Sequence, residues 1–533
     1  MADAPRPGVA LAALLVLVLV VYGPSLGYAY VWDDGALIAE NPYIRQPLDL
    51  AGIFGSDFWA RSSTPRASGM YRPLVTLAYW AEWRLWGGGP AGFHAVNVLL
   101  HLASTTAVAT LGRRLGLPGL APVAAAALFA LHPVTVEAVA NIASRTDLMA
   151  TALVLAGVLV WLREDRLRWA AAPLLLGATL CKETGVVGPL LAVLAARARG
   201  RAALGEEIAL VAGVLAPWFA LRASAVGSVA LEGTSAGGAR AVYFAGRLLW
   251  PDFAAPNAVL APPATWWAVV TLAGFAAAVG AAVRTPGPVR VGAALATFAL
   301  LPVLEIVPVG ARASDLLLYL PLAGLGLALA ARIPAPPLLG LALVLAAVSA
   351  ARLPVWSDSA HIWAATYAQR PDDPLAQLNL GRVRAGEGDA AAAERLYGEV
   401  LAGDGDVDLR VRAAYNLGNL LREAGRSAEA AARYEEALRL SNRQFPRALY
   451  NLAVLAGEAG RRDEAVTYAR ELVQRWPDQG AHWSLLGVQA AQASDWGTAI
   501  EAFDRAVSLD PTDAESARMR TLAKARAAEA GGP

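Results

Sequence analysis

Residues 9–34 read VALAALLVLVLVVYGPSLGYAYVWDD. The stretch Val9 to Tyr22 is almost wholly apolar, and with its flanks to Gly27 it is long enough to cross a bilayer. A carboxylate pair, Asp33 and Asp34, follows directly. Two acids are therefore expected at a membrane surface, on the side opposite the N-terminus. Acidic groups at that depth are costly unless solvated or used, so the pair reads either as the start of a solvated loop or as part of a site. The apolar stretch also reads as a cleaved signal peptide, given its short core and small flanking residues. Cleavage would detach the helix that anchors the aspartates.

Hydrophobic residues make up 56% of the 533 and charged residues 17%, an average over two unlike parts. Up to about Leu353, long Ala/Leu/Val runs alternate with short charged or Pro/Gly-bearing joints. From about Trp356 the chain is charged and helix-forming, as in a soluble domain. A formal net charge of +1 and the lack of a basic stripe with interleaved aromatics give no ground for nucleic-acid binding. Cys181 is the single cysteine, so no intrachain disulfide can form. Lys182 and Lys524 are the only two lysines among 45 basic residues; arginine does the rest.

Apolar length and arginine clustering predict about eleven spans, at 8–27, 93–111, 119–133, 145–162, 169–181, 184–196, 206–222, 264–283, 289–308, 314–331 and 335–353. The short pair 169–181 and 184–196 is either a tight hairpin or one broken helix. Arg113-Arg114, Arg163/Arg166/Arg168, Arg197/Arg199/Arg201, Arg284/Arg290 and Arg332 then share one face with Arg6. That face is cytoplasmic by the positive-inside rule, and an odd span count puts the C-terminal domain on the other side.

Polar residues gather opposite the arginines. Tyr71-Arg72-Pro73-Leu74 closes the first loop. His94, Asn97 and His101 share one helix face by their spacing. His132 precedes Pro133, which interrupts a helix and frees backbone groups, and Glu137 follows. Arg145 and Asp147 open the next span, and Lys182-Glu183 lies between the two short ones. Taken singly these are ion pairs or caps, with Arg145–Asp147 and Lys182–Glu183 as local partners. Gathered on one leaflet they suggest a shared polar cavity.

After residue 375 the chain repeats itself with a period of about 34 residues, the tetratricopeptide length. Leu378-Asn379-Leu380-Gly381, Tyr415-Asn416-Leu417-Gly418, Tyr450-Asn451-Leu452-Ala453 and Ser484-Leu485-Leu486-Gly487 align. Ala393, Ala430, Ala465 and Ala499 follow at a constant offset, then Tyr397, Tyr434 and Phe503, with Pro477 and Pro511 ending repeats. Small residues let one helix of a pair approach the other, and the aromatics are expected to fill the step to the next repeat. No repeat buries its face alone, so about four stack into a solenoid. Such solenoids hold extended peptides or other proteins in a concave groove; a structural or oligomerising cap is the plainer reading.

Val31-Trp32-Asp33-Asp34, Tyr71-Arg72-Pro73-Leu74, Asn97-Val98-Leu99-Leu100-His101 and Phe129-Ala130-Leu131-His132-Pro133 with Glu137-Ala138-Val139 resemble the transmembrane and tetratricopeptide-repeat O-mannosyltransferases. So do Arg145-Thr146-Asp147-Leu148, Lys182-Glu183-Thr184-Gly185, Val307-Pro308-Val309-Gly310 with Leu318-Tyr319-Leu320-Pro321, and Trp363 ahead of the repeats. The motifs run in order along nearly the full chain. The resemblance implies an all-α protein: a polytopic glycosyltransferase-C-like domain over 1–355, a linker at 356–374, repeats at 375–524 and a disordered tail at 525–533. It implies transfer of a sugar, mannose in studied members, from a polyprenyl phosphate to protein Ser/Thr hydroxyls outside the cytoplasm. The chain departs from the family pattern at Ala313-Ser314-Asp315, where Ala-Glu-Arg is common, and in its short repeat array. Its Arg- and Ala-rich composition points to a bacterium of high G+C content, hence an inner, multi-pass membrane protein with periplasmic repeats.

Sugar transfer to a hydroxyl needs a base for the acceptor proton and a cation near the leaving phosphate. Asp33 or Asp34 fills the first role, as the resemblance implies for an acid in this loop. Asp34 is taken as the base, with Asp33 positioning the acceptor or a metal. Lys182 is taken to meet the donor phosphate, with Arg145, Glu137, Asp147, His132 and Arg72 around it. A divalent cation is neither required nor excluded. The partners implied are a lipid-linked sugar, the membrane and protein acceptors held by the repeats. Two other readings stand: a membrane scaffold without catalysis that binds partners through the repeats, and a transporter or flippase. A transporter calls for polar residues and broken helices at mid-membrane, whereas here they gather at one surface.

Overall fold

A computed structural model describes residues 6–227, 287–300 and 314–530. Among them every regular element is helical, and the chain divides into two compact units, Met1–Ala365 and Thr366–Pro533. The expected span 264–283, part of 289–308 and the Val307–Gly310 run lie outside the described residues.

The first unit opens with α1 (Pro7–Tyr22), α2 (Leu50–Phe54), α3 (Pro73–Trp86), α4 (Pro90–Arg114), α5 (Ala121–Leu131) and α6 (Thr135–Ala140). It continues with α7 (Arg145–Trp161), α8 (Ala171–Cys181), α9 (Gly188–Ala198) and α10 (Leu204–Val226), then the helices Pro288–Leu300, Tyr319–Ala330 and Ala335–Arg352. Proline starts α1, α3 and α4, where its missing N–H and fixed φ cost nothing. Arg113 and Arg114 close α4 and complement its dipole.

Among the described residues, five helical segments are long and apolar enough to cross a membrane: Pro7–Gly27, Pro90–Arg114, Ile142–Trp161, Leu204–Val226 and Ala335–Trp356. The expected spans 119–133, 169–181 and 184–196 are shorter. Each corresponds to an 11-residue helix, which rises only about 16 Å against a hydrocarbon core of about 30 Å. All of α5 is buried, as a helix apolar on every side requires. It ends at His132, whose extended backbone is what a following proline imposes. Between α8 and α9 the chain doubles back. A Cβ on Gly185 would lie 2.5 Å from the backbone carbon of Ala178, so only glycine admits this reversal.

Two polar ends result. At one, Arg199 donates to Arg114 O (2.9 Å), Arg201 to Trp161 O and Arg163 O, and Arg168 and Arg197 bind Glu206 and Glu207 at the start of α10. At the other, Arg222 near the end of α10 donates to Gly69 O (2.9 Å), Arg352 at the end of its helix binds Asp315, and Ala29 N donates to Ser357 O (2.9 Å). Stretch 356–374, expected as a linker, holds the helix Ser359–Gln369.

In the second unit four helix pairs follow: Pro374–Gly386 with Ala390–Ala402, Val407–Glu423 with Ser427–Leu440, Pro446–Glu458 with Arg462–Arg475, and Gly480–Gln492 with Trp496–Leu509. Asp373, Asp389, Asp406 and Asp495 cap their helices by accepting backbone N–H bonds, the stabilising N-cap interaction. A Cβ on Gly381, Gly418 or Gly487 would come within 2.7 Å of the ring of Tyr397, Tyr434 or Phe503 respectively. The aromatics thus cover the small residue of their own repeat, rather than only the step to the next. The helix Ala514–Ala530 closes the stack, so residues 525–530, expected in a disordered tail, are helical.

Candidate active site

The run Val31–Asp34 folds into a tight turn in which Asp34 N donates to Val31 O at 2.9 Å. Trp32, its second residue, has φ 53°, a left-handed backbone that costs a side-chain-bearing residue about 1–2 kcal/mol. Asp34 is fully buried. Its Oδ2 accepts from Val31 N (3.0 Å) and its Oδ1 from Ala143 N (2.7 Å), so the carboxylate fastens the first loop to the start of α7. Burial pushes its carboxyl up to about 7, against the two backbone N–H groups. Asp33 is partly exposed. Burial raises its carboxyl as well, while the guanidiniums of Arg66 and Arg72 pull it back down.

A frame of buried ion pairs surrounds this turn, and its partners cross between helices. Arg145, fully buried, is bound by Glu82 of α3, by Asn97 Oδ1 of α4 and by Phe93 O (2.6 Å). Lys182 Nζ lies 2.6 Å from both oxygens of Asp147. Arg72 Nη2 lies 3.1 Å from Glu183 Oε2, and Glu183 Oε1 accepts from Tyr71 N at 3.1 Å. Although burial opposes it, Arg72 and these N–H groups hold the Glu183 carboxyl below its usual range. The local pairs Arg145–Asp147 and Lys182–Glu183 do not form, because each buried charge is paired with a group from another segment: Arg145 with Glu82, Lys182 with Asp147 and Glu183 with Arg72.

Glu137 and His132 stand in a neighbouring cluster. Ser314 donates to Glu137, Arg352 Nη2 lies 2.7 Å from Asp315, and Arg352 Nη1 lies 3.2 Å from Pro133 O. Burial and then the Asp315 carboxylate push Glu137 up to about 7. His132 Nδ1 accepts from Val134 N at 3.2 Å. His101 bridges Tyr319 Oη (2.7 Å) and Ala130 O (3.0 Å). A carbonyl can only accept, so Nε2 carries a proton and His101 ties α4 to the end of α5 and to Tyr319.

Two residues went unread in the sequence. Glu82 partners Arg145, and its signal was the single acid in α3, a helix whose only other charge is Arg84. Arg66 lies over the Trp59 ring at 3.6 Å and has no carboxylate partner among the described residues. Nothing in the local sequence separates it from other loop arginines. The arrangement sets Asp33, which has no ion-pair partner among the described residues, near the guanidiniums of Arg66 and Arg72, an arrangement that could accept a proton beside a bound anion. Among the described residues no three His, Cys, Asp or Glu groups converge as metal ligands.

Residues 362–443 and 450–514 match tetratricopeptide-repeat families. The chain is 34% identical over 182 residues to "Protein O-mannosyl-transferase F38B6.6" of Caenorhabditis elegans, covering 33% of this chain and 26% of that protein. It is 38% identical over 191 residues to the Tmtc2 protein O-mannosyl-transferase of Drosophila melanogaster (33% and 20%) and 32% over 195 residues to human TMTC4 (32% and 26%). The matches thus span about a quarter or less of those relatives. Among solved structures, the repeats align with MamA (19% identity, TM-score 0.27, 29% of this chain and 82% of that one) and with YrrB, a tetratricopeptide-repeat protein "with an unusual peptide-binding site" (19%, 0.27, 35% and 89%). The chain thus joins helices long and apolar enough to cross a membrane to tetratricopeptide repeats, and over about a third of its length it is similar to the protein O-mannosyl-transferases.

Proposed function

We propose that this chain is an integral-membrane glycosyltransferase that moves mannose from a polyprenyl-phosphate donor to Ser/Thr hydroxyls of protein acceptors. The observation that carries this reading is the division of labour between the two aspartates: Asp34 is used up in fastening the loop, and Asp33 is left reachable beside Arg66 and Arg72. The geometry therefore supports Asp33 as the base and Asp34 as its anchor, an exchange of the roles assigned from sequence. The acceptor oxygen attacks C1 of the sugar while the C1–O bond to phosphate breaks. That bond's electron pair leaves with the polyprenyl phosphate, and the hydroxyl proton passes to Asp33. Arg66 and Arg72 are the cations placed to steady the phosphate. Lys182, closed on Asp147, supports the frame and does not touch the donor.

The arginine-rich end is cytoplasmic on this account, and the aspartate end faces the periplasm with the repeats. The repeats raise the local concentration of acceptor chain. Glycoproteomics of periplasmic proteins from cells with and without the gene tests the function. Hexose-bearing Ser/Thr peptides lost with the gene and restored by it are the expected result. An unchanged glycopeptide set would favour the scaffold that binds partners without catalysis.

A further inference from the structure

Four non-glycine residues have positive φ among the described residues: Trp32, Asn442, Arg443 and Ser494. The last three are polar residues in turns that follow helices of the repeats. Trp32 is the one aromatic, and a bulky residue there is an outlier that persists only when its surroundings over-determine it. The surroundings are visible. Its ring lies 5.0 Å from that of Trp363, centroid to centroid, at 45°. Trp363 is 7% exposed and sits shortly after Ser357, whose carbonyl accepts from Ala29 N at 2.9 Å. The chain on both sides of the pair is thus tied together.

The position fixes what the strain accomplishes. In an extended backbone, adjacent side chains point to opposite faces. In a turn with positive φ at its second residue, the fourth side chain folds back instead, and Asp34 reaches Val31 N. In this turn Asp34 is buried against Val31 N while Asp33 stays partly exposed.

We propose that Trp32, clamped in its left-handed turn by Trp363, is the positioning residue that holds Asp33 outward and Asp34 inward. The claim that Asp33 is the base rests on the function proposed above; the claim about geometry does not. A glycine at 32 would hold the same turn without strain. The Trp363 contact is needed because residue 32 carries a side chain, and this makes the proposal testable by a change of sign.

The experiment uses the full chain in detergent, a water-soluble carbodiimide with an amine nucleophile, and mass spectrometry of the modified carboxyls. Wild-type protein should label at Asp33 and stay protected at Asp34. Trp363→Ala should raise Asp34 labelling about tenfold or more and lower kcat by about 10- to 100-fold, with KM within about twofold, as expected for a misplaced group. Trp363→Phe should stay near wild type. Trp32→Gly combined with Trp363→Ala should restore Asp34 protection and recover most of kcat, whereas loss of mere packing would be worsened by removing a second ring. Trp32→Gly alone should label like wild type, which keeps the test readable if Trp363→Ala unfolds. Unchanged labelling in Trp363→Ala, or a double variant no better than the single, overturns the proposal. Asp33→Asn separates the two claims: full activity there removes the base assignment, while the labelling pattern still decides the positioning.

Discussion

Lys182 Nζ lies 2.6 Å from both carboxylate oxygens of Asp147, and each side chain is only 8% exposed. On the proposed reading an ammonium enclosed in this way serves as a structural charge. Lys182→Ala would strand a buried carboxylate, at a cost of about 3–5 kcal/mol, and should lower the melting temperature of the purified protein sharply. Lys182→Met combined with Asp147→Leu should recover most of that loss, because a well-packed apolar pair replaces a buried ion pair at little cost. Normal stability in Lys182→Ala with a raised donor KM would return Lys182 to the phosphate.

The Asp34 carboxyl, raised by burial to about 7 from its ordinary 3.8, makes stability fall with rising pH. Between these two values the folded state holds a proton that the unfolded state has released, so unfolding gains ground as pH climbs. Above about 7 the effect is complete. Thermal unfolding from pH 4 to 8 should show Asp34→Asn losing part of this slope relative to wild type. The amide should also lower stability outright, since its NH2 cannot accept from the second backbone N–H. Parallel curves for the two proteins would contradict the burial argument.

The repeats were legible because helix-pair packing is local: glycine and aromatic recur about 16 residues apart in three of the four units, and Gly418 and Tyr434 meet as the period requires. Collection of the polar residues at one end was legible for the same reason, since span length and charge are one-dimensional signals. Partner identity was not. Asp147 and Lys182 are 35 residues apart and Glu82 and Arg145 63 apart, so only the packing of α3, α4, α7 and α8 brings them together. The exposure of Asp33 and Asp34 was hidden too, because nothing in the residue types of that run marks a left-handed turn at Trp32.

Topology follows from the two polar ends. A reporter fused after Arg199 should read as cytoplasmic and one fused after Ala364 as periplasmic, because arginine-rich joints stay inside. A cytoplasmic signal at Ala364 would exclude repeats that serve a periplasmic site.

Removal of residues 375–524 should reduce transfer to a protein acceptor by about tenfold or more, the scale of lost effective concentration, with donor affinity within about twofold of wild type. Assays with a short free peptide should narrow the difference. An equal loss of donor binding would assign the repeats to stabilising the membrane unit.

The most direct measurement is transfer by purified protein from a polyprenyl-phosphate mannose to a Ser/Thr acceptor peptide, comparing wild type with Asp33→Asn. Among the described residues the Asp33 side chain has no hydrogen-bond partner, so the variant should melt within about 2 °C of wild type, on the scale of a surface change. Loss of the base should lower kcat by about 100-fold or more. Full activity in Asp33→Asn, or no mannosyl transfer by the wild-type chain, would contradict the account.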